Sequence, residues 1–87
     1  PDPLRDVVLT GYPDRGGWTV AADLPGVGPE DVVLDVTDGV LNLTTRGGRR
    51  YRGSVGLPPG IDPASMTVTL RNGVLAVSFP TSAGPSA

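Results

Sequence analysis

Residues 66–80 read MTVTLRNGVLAVSFP, and this stretch decides the fold. Apolar and polar side chains alternate on both sides of Asn72-Gly73, with the period of a strand that buries one face. Asn-Gly is also a strong signal for a two-residue hairpin turn, because both turn positions take positive φ. The stretch therefore predicts an antiparallel hairpin with an apolar inner face. That face consists of Met66, Val68, Leu70, Leu75, Val77 and Phe79.

The same signals recur along the rest of the chain. Asp38-Gly39 is a second hairpin turn of this kind, and proline or glycine closes most of the other alternating runs. No segment of useful length has the helical period. Seven strands are predicted, over residues 6–10, 18–24, 32–36, 40–45, 49–57, 66–71 and 74–79. We expect an all-β, immunoglobulin-like antiparallel β-sandwich over residues 6–80, between a flexible linker (1–5) and a flexible tail (81–87).

Composition narrows the class of protein. The 87 residues suffice for one domain, and the 13 Gly and 10 Pro fall mostly between the strand runs. The chain has no Cys, so disulfides and thiolate metal sites do not hold the fold, and the redox compartment is left undetermined. A cytoplasmic location is compatible with this composition and is the location we expect. The net charge of −2 argues against non-specific binding to nucleic acid or to an anionic membrane. No apolar stretch approaches the roughly 20 residues of a membrane span.

The sequence contains few residues that could act in catalysis or bind a cofactor. Without His or Cys, the commonest general base, the thiol nucleophile and the usual zinc ligands are all missing. We interpret the clustered carboxylates as turn caps and a solvated sheet face. They are Asp23, Glu30, Asp31, Asp35 and Asp38. We therefore expect no enzyme, no metal site, no cofactor and no small-molecule substrate.

Three blocks, in order, resemble the α-crystallin domain of the small heat-shock protein (Hsp20) family. The first runs from Ala22 to Val32 (ADLPGVGPEDV) and the second over residues 39–43 (GVLNL), followed by residues 55–58 (VGLP). The third, residues 68–80, is similar to the family pattern AxxxxGVLxVxxP. Each block also has a plain structural meaning as a strand end, a hairpin or a core strand. Their common order over about sixty residues is what favours the family.

The resemblance implies an ATP-independent chaperone, a holdase, that binds partly unfolded polypeptides through edge strands and an apolar groove. The family's groove positions correspond here to Leu34, Val36, Ser65 and Thr67, two of which are polar. The resemblance also implies an edge strand for an optional homodimer, at Arg49, Arg50, Tyr51, Arg52 and Val55. Taken alone, this Arg-rich run also fits a phosphate-binding patch, but we interpret it as an edge defended by charge against further pairing.

Two departures from the family leave an alternative open. Family members often carry a long loop with an exchanged strand, where this chain has only Arg46-Gly47-Gly48 before residue 49. Residues 81–87 also lack the Ile/Val-x-Ile/Val motif that docks into a neighbour's groove. We therefore expect no loop exchange and, if the chain is complete, no large assembly of the usual kind. If the chain is a fragment, the missing ends could supply the docking motif. The alternative function is an Hsp20-like structural or interaction module, dedicated to one partner or belonging to a larger protein.

Overall fold

The computed structural model describes residues 5–47 and 50–80. This part contains eight β-strands and two single-turn 3-10 helices, Pro29–Asp31 and Pro63–Ser65, and no α-helix. The strands are β1 (Arg5–Asp6), β2 (Thr10–Asp14), β3 (Gly17–Asp23), β4 (Val32–Thr37), β5 (Val40–Thr45), β6 (Tyr51–Gly56), β7 (Thr67–Arg71) and β8 (Val74–Pro80). The predicted all-β class is confirmed. The expected flexible segments lie outside the described residues, except for Arg5, which belongs to β1.

The strands form two four-stranded sheets. Sheet A has the order β1-β6-β5-β4, and sheet B has the order β2-β3-β8-β7. Every neighbouring pair is antiparallel except β1 and β6, which run parallel with Arg5 opposite Tyr51. Sheet A therefore contains one parallel pair at its edge, within the predicted antiparallel β-sandwich.

The two predicted hairpin turns are confirmed. Asp38 and Asn72 adopt φ of 53° and 51°, and the glycine after each also has positive φ, as a type I′ turn requires. The turns join β4 to β5 and β7 to β8 in continuous antiparallel register. The Leu24 amide donates to the Gly73 carbonyl at 2.6 Å, which fixes the second turn against the end of β3.

The predicted first strand, residues 6–10, is wrong. Arg5 and Asp6 belong to sheet A and Thr10 to sheet B, so the chain changes sheets within this run. β2 instead extends through Gly11 and Pro13, which lie between the first two predicted strands. An edge strand tolerates proline because only one of its borders supplies hydrogen bonds. The turn itself is Arg15-Gly16, with Asp14 paired to Gly17.

The crossing segment Val7–Leu9 fixes how the two sheets are aligned. Three residues span at most about 10 Å, close to the spacing of packed sheets, so β1 and β2 must lie on the same side of the sandwich. Given the strand orders, β4 and β7 lie together on the opposite side. Leu9 is buried in the core, whereas Val8 is exposed.

The inner faces of both sheets form a single core. Its fully buried side chains come from β3, β5 and β8 and from the residue that follows β3, as the period-two pattern predicts. They are Val20, Leu24, Leu41, Leu43, Leu75, Val77 and Phe79. The edge strand β4 contributes Val32, Leu34 and Val36, which pack against this core while staying partly exposed.

Candidate functional site

The side of the sandwich bounded by β4 and β7, called the open side below, carries two unpaired sheet borders. In residues 5–47 and 50–80, each of these strands has a neighbour on one border only. Alternate residues of an edge strand direct their N–H and C=O groups outward, where another chain can pair with them. Neither β4 nor β7 contains proline or glycine, the residues that commonly interrupt such pairing.

The opposite side is closed by comparison. β1 has only two residues, and β2 carries Gly11 and Pro13 within its five. Val7–Leu9 crosses between the two sheets there and places Leu9 in the core. The molecule therefore offers another strand two continuous, uninterrupted borders, and both lie on the open side.

Aliphatic side chains line the inner faces of β4 and β7 along the open side. Leu34 and Val36 on β4 and Leu70 on β7 are partly buried against the core, and Met66 lies just before β7. Val68, which belongs to the same face of β7 as Leu70, is 42% exposed. Because β4 and β7 are the last strands of their sheets, no further strand in the described part of the chain covers these side chains. They form an apolar strip between two free backbone borders.

A shallow cavity of 370 Å³ lies beside Val36, at the end of β4. Its walls are almost wholly apolar or proline. They are Val36, Gly39, Leu57, Pro58, Pro59, Gly60, Ile61 and Pro63. A side chain entering there would meet mainly carbon, and the three prolines offer no backbone N–H.

The structure brings together only part of the predicted groove. Leu34 and Val36 lie on the inner face of β4, as expected. Thr67 instead lies on the outer face of sheet B, opposite Ser78, and Ser65 ends the second 3-10 helix with its hydroxyl donating to Asp62 Oδ2 at 2.8 Å. Val68 was not predicted as a groove residue. The alternation of Met66, Val68 and Leu70 was the available signal, but the edge position of β7 was not visible in the sequence.

The predicted dimer edge is partly paired within the molecule. Arg5 N–H donates to the Arg50 carbonyl at 3.0 Å, and Val7 N–H donates to the Arg52 carbonyl at 2.8 Å. Arg50 and Arg52 are exposed, and Arg52 Nε is 3.0 Å from Asp6 Oδ1.

Farther along β6, the backbone of Val7 also lies against Gly53. Tyr51 is buried, its N–H donating to Thr45 Oγ1 at 2.8 Å, and Val55 is partly buried. Arg49 lies outside the described residues. Pairing of this edge with a second copy stays a prediction, and only residues 54–56 of β6 lie beyond the contacts made by Val7.

No group of three or more His, Cys, Asp and Glu residues in the described ranges could hold a metal ion. No helix in this part of the chain is long and apolar enough to cross a membrane.

Comparison with known proteins points to one family. A sequence model described as "Hsp20/alpha crystallin family" matches residues 12–86. Among curated proteins, none matches the sequence significantly.

Solved structures of small heat-shock proteins are similar in fold. The hspA protein of Xanthomonas axonopodis superposes with a TM-score of 0.77 at 21% identity, covering 88% of this chain and 94% of its own. The small heat-shock protein of Xylella fastidiosa gives 0.76 at 20% identity, covering 93% and 90%. HSP18.5 of E. histolytica gives 0.79 at 10% identity, covering 94% and 93%. At these identities the superpositions establish the fold.

Proposed function

The chain belongs to the Hsp20/alpha crystallin family, and from this membership we propose that it is an ATP-independent holdase whose client-binding site is the open side. The family's role is of the chaperone type and generally non-enzymatic. The proposed clients are partly unfolded polypeptides. Binding them needs no cofactor, small-molecule substrate, nucleic acid or membrane, and the proposed location is the cytoplasm.

The free border of β4 is the observation that carries this proposal. An extended client segment laid along Val32–Thr37 would satisfy the outward N–H and C=O groups of both chains, which is β-strand addition. Backbone groups are common to all polypeptides, so such pairing tolerates many client sequences. An unfolded client supplies the extended segments that this mode requires.

Hydrophobic contact along the strip adds to the backbone pairing. Alternate side chains of an added strand point towards the inner face, where Leu34, Val36 and Val68 are incompletely covered. Full burial of one aliphatic side chain contributes about 1.5–3 kcal/mol, so two or three contacts are sufficient for reversible capture. The cavity beside Val36 would accept one larger apolar side chain at the end of the added strand.

Substituting Val68→Asp tests the strip. Val68 is 42% exposed, so a carboxylate there costs the fold little, but it would place a charge where apolar client side chains are proposed to dock. We expect the variant to lose most of its ability to suppress light scattering from heat-denatured citrate synthase and from reduced insulin. Leu34→Asp should act in the same direction, with folding checked by circular dichroism.

Val74→Asp is the matched control. Val74 is 46% exposed, but it begins β8, an inner strand of sheet B, and its side chain is on the outer face of that sheet, opposite Arg71. This variant should protect both clients like the parent protein. A folded Val68→Asp protein with undiminished protection would contradict the proposed site.

A dedicated interaction module is the second candidate, and the short connection between β5 and β6 favours it. Only five residues, 46–50, separate these strands, which leaves no room for an exchanged strand. Protection of both unrelated clients supports the holdase. A well-folded protein that protects neither client supports the dedicated module.

A further inference from the structure

Asp35 is the one charged residue of β4, and its side chain lies on the outer face of sheet A, beside the free border. β4 has the sequence VVLDVT, so its other side chains are valine, leucine and threonine. The Asp35 side chain is exposed, and its Oδ2 accepts a hydrogen bond from Thr37 Oγ1 at 2.7 Å. No basic side chain in residues 5–47 and 50–80 forms an ion pair with it. The border along which a client is proposed to bind therefore carries one uncompensated negative charge.

The strands behind Asp35 supply no compensating charge. Strand register places Asn42 of β5 and Ser54 of β6 in the same row of the outer face, and both side chains are neutral. Arg52 stands in the next row, two strands away from β4, and already forms an ion pair at 3.0 Å. A basic partner for Asp35 must therefore come from another chain.

The hydrogen-bonding pattern of β4 fixes which of its residues face the free border. Thr37 and Val40 flank a two-residue turn, so they exchange both of their backbone hydrogen bonds. At the other end of the strand, the Arg46 amide donates to the Asp31 carbonyl at 2.9 Å. Odd-numbered residues of β4, including Asp35, therefore bond to β5. The even-numbered residues direct their backbone groups outward.

This alternation determines what would lie opposite Asp35 in a bound client. An antiparallel client strand would form its hydrogen bonds with the even-numbered residues, so Asp35 would occupy a non-hydrogen-bonded position. Opposite Cα atoms come within about 4.5 Å at such positions, and their side chains approach most closely there. Leu34 and Val36 would meet the client's apolar side chains on the inner face. The client side chain between those two would then stand directly beside the Asp35 carboxylate.

The same charge argues against a second copy of this chain as the occupant. β4 contains no basic residue that could meet Asp35 of another molecule. The two-fold register centred on Asp35 would place two carboxylates directly opposite each other, and like charges in that position are destabilising. A charge on an edge strand is also a common protection against pairing between identical edges. Charge complementarity therefore favours a different polypeptide, one that carries a base.

We propose that Asp35 is a specificity-determining residue of the holdase site and that it favours client segments in which basic residues alternate with apolar ones. The apolar residues would enter the strip, and a Lys or Arg between them would pair with the Asp35 carboxylate across the two strands. This inference rests on the proposed holdase function, because it adds a side-chain preference to backbone pairing along β4. The preference is graded, since backbone pairing remains open to other sequences.

A set of three short labelled peptides tests the preference. They share alternating apolar and Ser residues and differ only at the central outward position, which is Lys, Gln or Glu. Fluorescence anisotropy with the full chain at low ionic strength should show the Lys peptide binding about two- to fivefold more tightly than the Gln peptide, and the Glu peptide most weakly. Asp35→Asn should make the three affinities similar, because Asn keeps an acceptor for Thr37 but has no charge. Asp35→Lys should reverse their order.

Asp23→Asn is the matched control, because it removes the same charge from an exposed position on β3, in the other sheet. This variant should keep the order of the three affinities. If both Asn variants lose the preference, the net charge of the protein and not Asp35 is responsible, and the proposal is wrong. Equal affinity of the parent protein for all three peptides would overturn the preference while leaving the holdase site in place. Absence of binding by any peptide would overturn the client site and the preference together.

Discussion

Gly53 shows how one missing side chain admits a distant segment. A Cβ added at this position would lie 2.5 Å from the Val7 carbonyl oxygen and 3.3 Å from Leu9 Cγ. Both atoms belong to the crossing segment, more than forty residues earlier in the chain. The glycine therefore lets Val7–Leu9 lie against β6 and close that side of the sandwich.

Gly53→Ala should destabilise the fold by about 1–3 kcal/mol, the usual effect of a forced atom in a packed region. Urea unfolding followed by Trp18 fluorescence would measure the loss. Hydrogen exchange at the Val7 amide, which donates to Arg52, should accelerate at the same time.

Gly56→Ala is the matched control in the same strand. No atom lies within 4 Å of a Cβ added there, so the change in stability should stay within about 0.5 kcal/mol. Equal destabilisation by the two variants would show that β6 resists alanine for reasons other than the crossing segment.

Local chemistry made some residue roles predictable and others not. Asp38 and Asn72 predict their turns because Asx-Gly pairs favour positive φ at both central positions. Gly53 carries no comparable signal, because its role depends on where Val7 lies in three dimensions. Thr67 was placed in the groove by resemblance, although the alternation of its own strand already directed it outward.

The crossing segment and β1 together form an element held mainly by one buried side chain. Leu9 lies in the core, whereas Asp6 and Arg52 form an ion pair with side chains 84% and 61% exposed. Exposed ion pairs contribute little, because water and salt screen them. The hydrophobic anchor should therefore dominate the docking of this element.

Leu9→Ala should lower the free energy of unfolding by about 2–5 kcal/mol, through lost burial and the cavity left behind. Asp6→Asn should cost less than about 1 kcal/mol, and that small effect should vanish in concentrated salt. Urea titrations at low and high ionic strength would compare the two variants. A larger loss of unfolding free energy from Asp6→Asn than from Leu9→Ala would show that the ion pair, and not the buried Leu9 side chain, holds this element.

Elements with strong local signals were predictable, and the N-terminal one was not. The runs that became β3, β4, β5, β7 and β8 alternate cleanly and end at glycine, proline or Asx-Gly. Residues 6–10 show no turn residue, yet the chain leaves one sheet and joins the other within them. The parallel pairing of β1 with β6 joins residues 46 positions apart, and no local pattern encodes it.

The whole molecule depends on a single core. Phe79 is the largest of its fully buried side chains, and β8, which carries it, lies between β3 and β7. A domain of this size has a total stability of only about 5–10 kcal/mol, so one large cavity removes much of it.

Phe79→Ala should cost about 3–5 kcal/mol, enough to leave a sizeable unfolded fraction at physiological temperature. Thermal unfolding followed by far-ultraviolet circular dichroism would measure the change. Val33→Ala, at an exposed position of sheet A, should shift the midpoint only slightly. A Phe79→Ala protein with an unchanged midpoint would show that the core repacks around the loss.

The order of the strands within each sheet was the hardest property to predict. The sequence indicated a sandwich and most of its strands, but strand order is set by pairings between distant segments. Consequently no local pattern placed β4 beside β7, and only the family resemblance put the two strands on one groove. Val68 was assigned to the core without its edge exposure.

The unpaired border of β4 has a consequence for any partner that uses it. Mutations change the side chains of a partner, but its backbone amide and carbonyl groups stay the same. A partner bound through these groups therefore rarely loses the interaction through substitution. Permissiveness towards unrelated sequences would then come from the geometry of the border itself and would need no versatile pocket.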